Sequence, residues 1–220
     1  MELKLVIFDV DGLLLDTERV WKTAWQETAA ALHLPIDAQG FDQLVGRNGR
    51  DYEEGLKKIL GDQWDTKMFM AEMRRIGMKK LETELRLKPG AREILEYLKE
   101  ERISRAVATA TSRILTEERL NRMKIQSFFS CICCGDEICR RKPFPDIYLK
   151  VLETTGCSSK NALVLEDSPV GVEAAFRAQI PCIMIPDIIQ PGLKERKRAE
   201  DIVESLFDAK KRIEERLCRV

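Results

Sequence analysis

Five short β-rich runs, at residues 3–8, 105–109, 131–134, 162–166 and 182–185, alternate with helical patterns along most of this 220-residue chain. Parallel strands need a crossover connection, usually a helix, so the alternation is the signature of βα units and predicts an α/β fold with one parallel sheet. The helices carry matching punctuation. Pro89 opens a helix over 89–101, Ser112 is placed to cap 113–123, Pro145 opens 145–155 with Gly156 as its C-terminal stop, and Ser168 and Pro169 open the next. The charged tail from Lys194 to Arg219 reads as a solvated amphipathic helix.

One stretch breaks the alternation. From Asp16 to Leu85 there is no strand signal, only helical periodicity over 17–33, about 38–45, 51–60 and 66–85, joined near Pro35, Gly46 and Gly61. A wholly helical insertion after the first strand of an α/β fold reads as a separate lid. The expected division is an α/β core from 1–15 and 86–220 and a helical cap domain from 16–85.

The first strand ends abruptly. In Lys4-Leu5-Val6-Ile7-Phe8-Asp9-Val10-Asp11-Gly12 two carboxylates one residue apart close an otherwise apolar run. A buried strand tolerates neither without a partner, so the pair belongs at the strand's C-terminal end, facing a cation or reacting group. Gly12 lets the backbone turn at once.

Three further groups take the same place after later strands: Thr109-Ala110-Thr111-Ser112, then Lys142, which Pro143 biases into an extended loop, then Glu166-Asp167. The C-terminal ends of strands are where open α/β sheets bind ligands. Carboxylates in this number suit a hard cation with oxygen ligands, Mg²⁺ above all, which binds through one or two carboxylates plus a substrate phosphate. A hydroxyl-bearing helix start and an ammonium suit the phosphoryl group itself. An aspartate can attack phosphorus, and a second one nearby can move a proton.

Phe8-Asp9-Val10-Asp11-Gly12-Leu13-Leu14-Leu15-Asp16-Thr17-Glu18, then Thr109, then Lys142-Pro143-Phe144-Pro145-Asp146, then Glu166-Asp167-Ser168, resemble the four ordered motifs of the haloacid dehalogenase superfamily. The closer likeness is to its β-phosphoglucomutase-like branch, which carries a helical cap after the first motif. The resemblance implies a doubly wound, Rossmann-like core. It makes Asp9 the nucleophile that forms an aspartyl-phosphate and Asp11 the acid and base, with its backbone carbonyl on Mg²⁺. Asp9 and Asp167 would also hold the metal, with Glu166 beside them as a ligand or a supporting group. Thr109, the Ala110 N–H and Lys142 would hold the phosphoryl oxygens. Dehalogenases proper lack an aspartate at the position of Asp11, so phosphoryl transfer is the implied chemistry. The branch's sugar-phosphate mutases place a histidine where Trp21 falls here, which favours a phosphatase over a mutase.

In the cap, Arg47, Asn48 and Arg50 of Gly46-Arg47-Asn48-Gly49-Arg50 are candidates to meet a polar or anionic substrate. Trp21, Trp25 and Thr28 form a helically spaced stripe that reads as core, and His33, the one histidine, packs or caps. Cys131, Cys133, Cys134 and Cys139 lack a CxxC pair and fall largely in an apolar strand, so small-residue packing is expected rather than zinc.

Lys plus Arg (37) balance Asp plus Glu (37), which leaves no footprint for nucleic acid or an anionic membrane. No run approaches the roughly 20 apolar residues of a membrane span. With no basic segment before the first apolar run, the seven cysteines read as reduced thiols in a cytoplasmic protein. The expected protein is a monomeric, Mg²⁺-dependent phosphatase of a small phosphorylated metabolite such as a sugar phosphate. A sugar-phosphate mutase and a non-catalytic binding module are the alternatives.

Overall fold

Strand β1, Leu5–Phe8, is buried at all four positions, as expected of a strand covered on both faces of a parallel sheet. In the computed structural model, which describes residues 2–45 and 49–218, the chain then enters four helices: α1 (Thr17–Ala31), α2 (Ala38–Asp42), α3 (Gly49–Leu60) and α4 (Thr66–Glu84). These belong to one compact unit, Asp16–Arg86, and the rest, Met1–Leu15 with Leu87–Val220, forms a second.

The second unit runs α5 (Ala91–Glu100), β2 (Ser104–Ala108), α6 (Arg113–Arg122), β3 (Cys131–Cys133), α7 (Asp146–Thr155), β4 (Ala162–Glu166), α8 (Pro169–Arg177), β5 (Cys182–Met184), α9 (Leu193–Arg198), β6 (Asp201–Ile202) and α10 (Leu206–Leu217). Every strand pairs in parallel, in the order β3-β2-β1-β4-β5-β6. The chain therefore builds outward from β1 to one edge, then returns to β4 and builds toward the other. The reversal beside β1 and β4 is where a doubly wound sheet opens a crevice at its strand ends. Among the described residues no helix is long and apolar enough to cross a membrane.

Three local expectations are corrected. The tail is not one helix, because Glu200 N–H and Val203 N–H donate to the Cys182 and Met184 carbonyls of β5 and draw a two-residue strand onto the sheet edge. A strand that short carries no period to read. Ser112 makes no capping bond through its side chain; the free Arg113 N–H instead donates to the Asp136 carboxylate at 3.0 and 3.2 Å. The helix after Pro89 begins at Ala91 behind Gly90, whose φ of 86° suits only glycine and whose Cβ, if present, would come 2.9 Å from the Phe207 backbone nitrogen.

In the helical unit Trp25 is fully buried, edge-on to Phe69 (4.8 Å between centroids) and Phe41 (6.2 Å), with its indole N–H donating to the Asp37 carbonyl at 2.8 Å. Thr28 is buried too and donates to the Ala24 carbonyl. His33 is exposed with φ 53° just past α1, a chain-reversal position. Trp21 lies across Gly77 of α4, where a Cβ would sit 2.2 Å from the indole ring. Gly77→Ala should therefore destabilise the protein by about 1–3 kcal/mol through overpacking, despite alanine's better helix propensity. A thermal melt at or above the wild-type midpoint would show that the ring moves aside freely.

Cys133, Cys134 and Cys182 are buried, and burial pushes the Cys133 thiol up to about 11, so these sulfurs pack as neutral thiols at ordinary pH.

Candidate active site

Past β1 the backbone folds back on itself. The Val10 carbonyl accepts from both Leu14 N–H and Leu15 N–H, Gly12 N–H donates to the Leu15 carbonyl, and Gly12 takes φ 88° to close the turn. The turn presents Asp9 and Asp11 at the strand end but gives them different neighbours.

Asp9 is buried. Lys142 Nζ donates to its Oδ1 at 2.6 Å, to Glu166 Oε1 at 2.5 Å and to the Ala108 carbonyl at 3.0 Å, so the one ammonium is fully used. Glu166 is better supplied. Its Oε1 also accepts from the Tyr148 hydroxyl at 2.7 Å, while Oε2 accepts from Asp167 N–H, Ser168 N–H and the Ser168 hydroxyl. Gly171 lies so close that a Cβ there would fall 1.9 Å from the Glu166 carboxyl carbon. Both Glu166 oxygens accept from protein donors, so Glu166 anchors Lys142 and the start of α8.

One ammonium cannot neutralise two buried carboxylates. Burial works against the Glu166 charge, yet Lys142 and the surrounding donors hold its pKa below the usual value. Burial likewise opposes the Lys142 charge, but Asp9 and Glu166 keep its proton and move its pKa upward. Asp9 is the group left short: burial, with the nearby Glu166 charge, outweighs the pull of Lys142 and pushes its pKa up to about 7.

Asp11 is held from the other side. Arg119 Nη1 donates to Oδ1 at 2.8 Å and the Thr111 hydroxyl to Oδ2 at 2.7 Å, with the Thr109 hydroxyl 3.5 Å from the same oxygen. Thr109 Oγ1 in turn accepts from Thr111 N–H at 3.2 Å. Ala110 is exposed between the two threonines, and its carbonyl rests against Gly135, where a Cβ would come within 2.1 Å of it. The Gly135 N–H donates to the Thr111 carbonyl, which fixes this loop from behind.

Asp167 faces the turn after β1. A Cβ on Gly12 would meet Asp167 Oδ2 at 2.3 Å and Asp187 Oδ2 at 3.5 Å. Lys88 binds the other Asp187 oxygen at 2.8 Å, while Oδ2 is buried with no hydrogen-bond partner. A glycine cradle filled by a carboxylate, next to a buried carboxylate oxygen lacking a donor, suits a cation. Among the described residues no three acidic, thiol or imidazole groups converge on one point, so an ion here would depend on backbone carbonyl, water and phosphate oxygens as well, as Mg²⁺ does.

Sheet geometry thus brings Asp9, Asp11, Thr109, Ala110, Lys142, Glu166 and Asp167 to one end of the strands. Arg47 and Asn48 lie outside the described residues, as does the Arg50 side chain. Sequence reasoning missed Arg119, Tyr148 and Asp187, and named Thr111 only within the run Thr109 to Ser112, with no role of its own. Thr111 stood beside a named residue, and Tyr148 lay two residues past the Lys142 motif, which could have drawn attention to both. Arg119 looked like any charged helix residue.

Comparison with known proteins shows the family of the chain. The family model described as haloacid dehalogenase-like hydrolase matches residues 6–185. A Thermotoga maritima protein named phosphorylated carbohydrates phosphatase is 33% identical over 178 residues, covering 81% of this chain and 82% of its own length. A Thermotoga maritima crystal structure, provisionally assigned as a beta-phosphoglucomutase, superposes with a TM-score of 0.81 at 30% identity, covering 97% of this chain and 99% of that one. The crystal structure of CbbY from Rhodobacter sphaeroides in complex with phosphate gives 0.70 at 27% identity, covering 93% and 95%.

Proposed function

The chain belongs to the haloacid dehalogenase-like hydrolases, and from that membership we propose that it is a Mg²⁺-dependent phosphatase acting on a small phosphorylated metabolite through a phosphorylated Asp9. The observation that carries the reading is the division of the two aspartates between two cations: Asp9 on Lys142 and Asp11 on Arg119. A phosphorylated carbohydrate is the first substrate class to test, because the relative at 33% identity is named for that activity.

In this reading an Asp9 oxygen bonds to phosphorus while the bond from phosphorus to the leaving oxygen breaks, and Asp11 gives that oxygen a proton. The resulting Asp11 carboxylate then takes a proton from water as the water oxygen attacks phosphorus, which frees Asp9 and releases phosphate. Lys142 offsets the charge gathered beside Asp9, and Thr109 with the Ala110 N–H offers donors to the phosphoryl oxygens. Mg²⁺ held by Asp9, Asp167 and the Asp11 backbone carbonyl would supply positive charge to those oxygens. Glu166 and Tyr148 keep Lys142 in place. The helical unit serves as the lid that selects substrate. Trp21, packed across Gly77 where the mutases carry a histidine, favours hydrolysis over isomerisation.

The test is phosphate release from a panel of sugar and polyol phosphates, with Mg²⁺ and with EDTA. Release that needs Mg²⁺ is expected. Undiminished release in EDTA, or conversion of one sugar phosphate into its isomer with no free phosphate, would sink the proposal. Metal binding has a separate readout: Mg²⁺ should raise the melting temperature of the wild type but not of Asp167→Asn.

A further inference from the structure

The proton-transfer carboxylate has a dedicated holder, and the holder rests on the phosphatase reading above. Arg119 is 7% exposed and reaches Asp11 from the middle of α6. A buried guanidinium needs a partner, and acidic residues stand close by in sequence. Yet Glu117 pairs with Arg113 and Glu118 with Arg122, and Arg113 also bridges to Glu137 and the Ile132 carbonyl to fasten α6 to the edge of the sheet. The structural fastening of this helix is therefore supplied elsewhere. Arg119 goes instead to Asp11, a residue distant in sequence and placed at the end of another strand.

The contact is also specific in orientation. Arg119 takes Oδ1 and the Thr111 hydroxyl takes Oδ2, so both ends of the carboxylate are fixed and its plane is set. Lys142 takes no part in this grip; its donors go to Asp9, Glu166 and Ala108. We propose that Arg119 is a positioning residue, which with Thr111 sets the orientation in which Asp11 exchanges its proton with the leaving oxygen. The guanidinium touches neither substrate nor phosphorus in this role and acts through Asp11.

The role has a chemical signature that a merely structural one lacks. A sugar or polyol leaves as an alkoxide and needs a proton as its bond to phosphorus breaks. p-Nitrophenol leaves as a stable anion and does not. Arg119→Met removes the charge while keeping much of the length, Arg119→Lys returns the charge without the planar fork, and Thr111→Val removes the second hydrogen bond.

For each variant, kcat and KM are measured on the best alkyl phosphate of the panel, and the first-turnover burst on p-nitrophenyl phosphate. Arg119→Met should lower kcat on the alkyl ester by about 100-fold, the range of one general acid. Its KM and the p-nitrophenol burst should change by no more than a few-fold, and Arg119→Lys should recover part of the lost kcat. Equal losses on both esters, or alkyl turnover within a few-fold of wild type, would overturn the inference while leaving the phosphatase reading intact. If Arg119→Met does not fold, Thr111→Val carries the same comparison with the same expected skew. No phosphate release by the wild type from any ester would overturn the phosphatase reading, and this inference with it.

Discussion

Asp9→Asn should stop turnover and, in the metal-free protein, raise the melting temperature at pH 8. Asp9 is the nucleophile in the proposed reaction, and its loss removes a group that would act with its partners as a unit, so kcat should fall on the order of 10⁴-fold or more. The opposite effect on stability comes from burial. The folded chain binds the Asp9 proton more tightly than the unfolded chain does, with its pKa moved from 3.8 to about 7. That stabilising contribution is whole below the unfolded value and is lost as pH rises through about 7. By pH 8 the loss is on the order of 4 kcal/mol as an upper bound, and an asparagine, which never ionises, does not suffer it. The difference in melting temperature between Asp9→Asn and wild type, both in EDTA, should therefore widen from pH 5 to pH 8. A difference that stays flat across that range would show that Asp9 ionises normally in the fold.

Lys142→Met should have the largest effect on stability. The substitution leaves Asp9 and Glu166 buried without their shared ammonium, and breaking a buried pair in this way costs about 3–5 kcal/mol. For a chain of this size that corresponds to a melting temperature lower by about 10 °C. Two carboxylates compete for one cation, so removing one of them should restore part of the loss: Asp9→Asn should stabilise Lys142→Met by more than it stabilises the wild type at the same pH. Strict additivity of the two substitutions in a double-mutant cycle at pH 8 would mean that Lys142 and Asp9 do not share the energy that their 2.6 Å contact indicates.

Much of this site could be read from the chain because each group stands at a strand end. A strand run followed at once by Asp9, Thr109 or Glu166-Asp167 places the side chain before any coordinate is known, since parallel strands bring their C-terminal ends to one edge of the sheet. Lys142 was reached through the proline that follows it. What could not be read were partners set by packing across the sheet. Arg119 lies in a helix full of charges, and only the packing of α6 decides which of its arginines turns inward. Asp187 and Lys88 meet across 99 positions of sequence. Strand β6 escaped for a different reason: two residues hold an edge position through the carbonyls of β5, with no pattern of their own. Glu166 stands at a strand end in the sequence, but its five protein donors are a property of the folded loop.

Residues Asp16 and Arg86 join through a backbone hydrogen bond of 2.9 Å, and Leu15 bridges to Leu87 immediately beside them. The chain therefore leaves the α/β unit and returns to it at neighbouring residues, so to that unit the helical insertion amounts to one closed loop. The entropy of closing a loop grows only with the logarithm of its length. Lengthening, shortening or repacking the helices between these two positions changes that term little, and it leaves untouched the hydrogen bonds that hold Asp9, Asp11, Lys142 and Glu166. If the proposed function holds, the reaction and the choice of molecule it acts on are thus written in separate stretches of the chain, which can vary independently of each other.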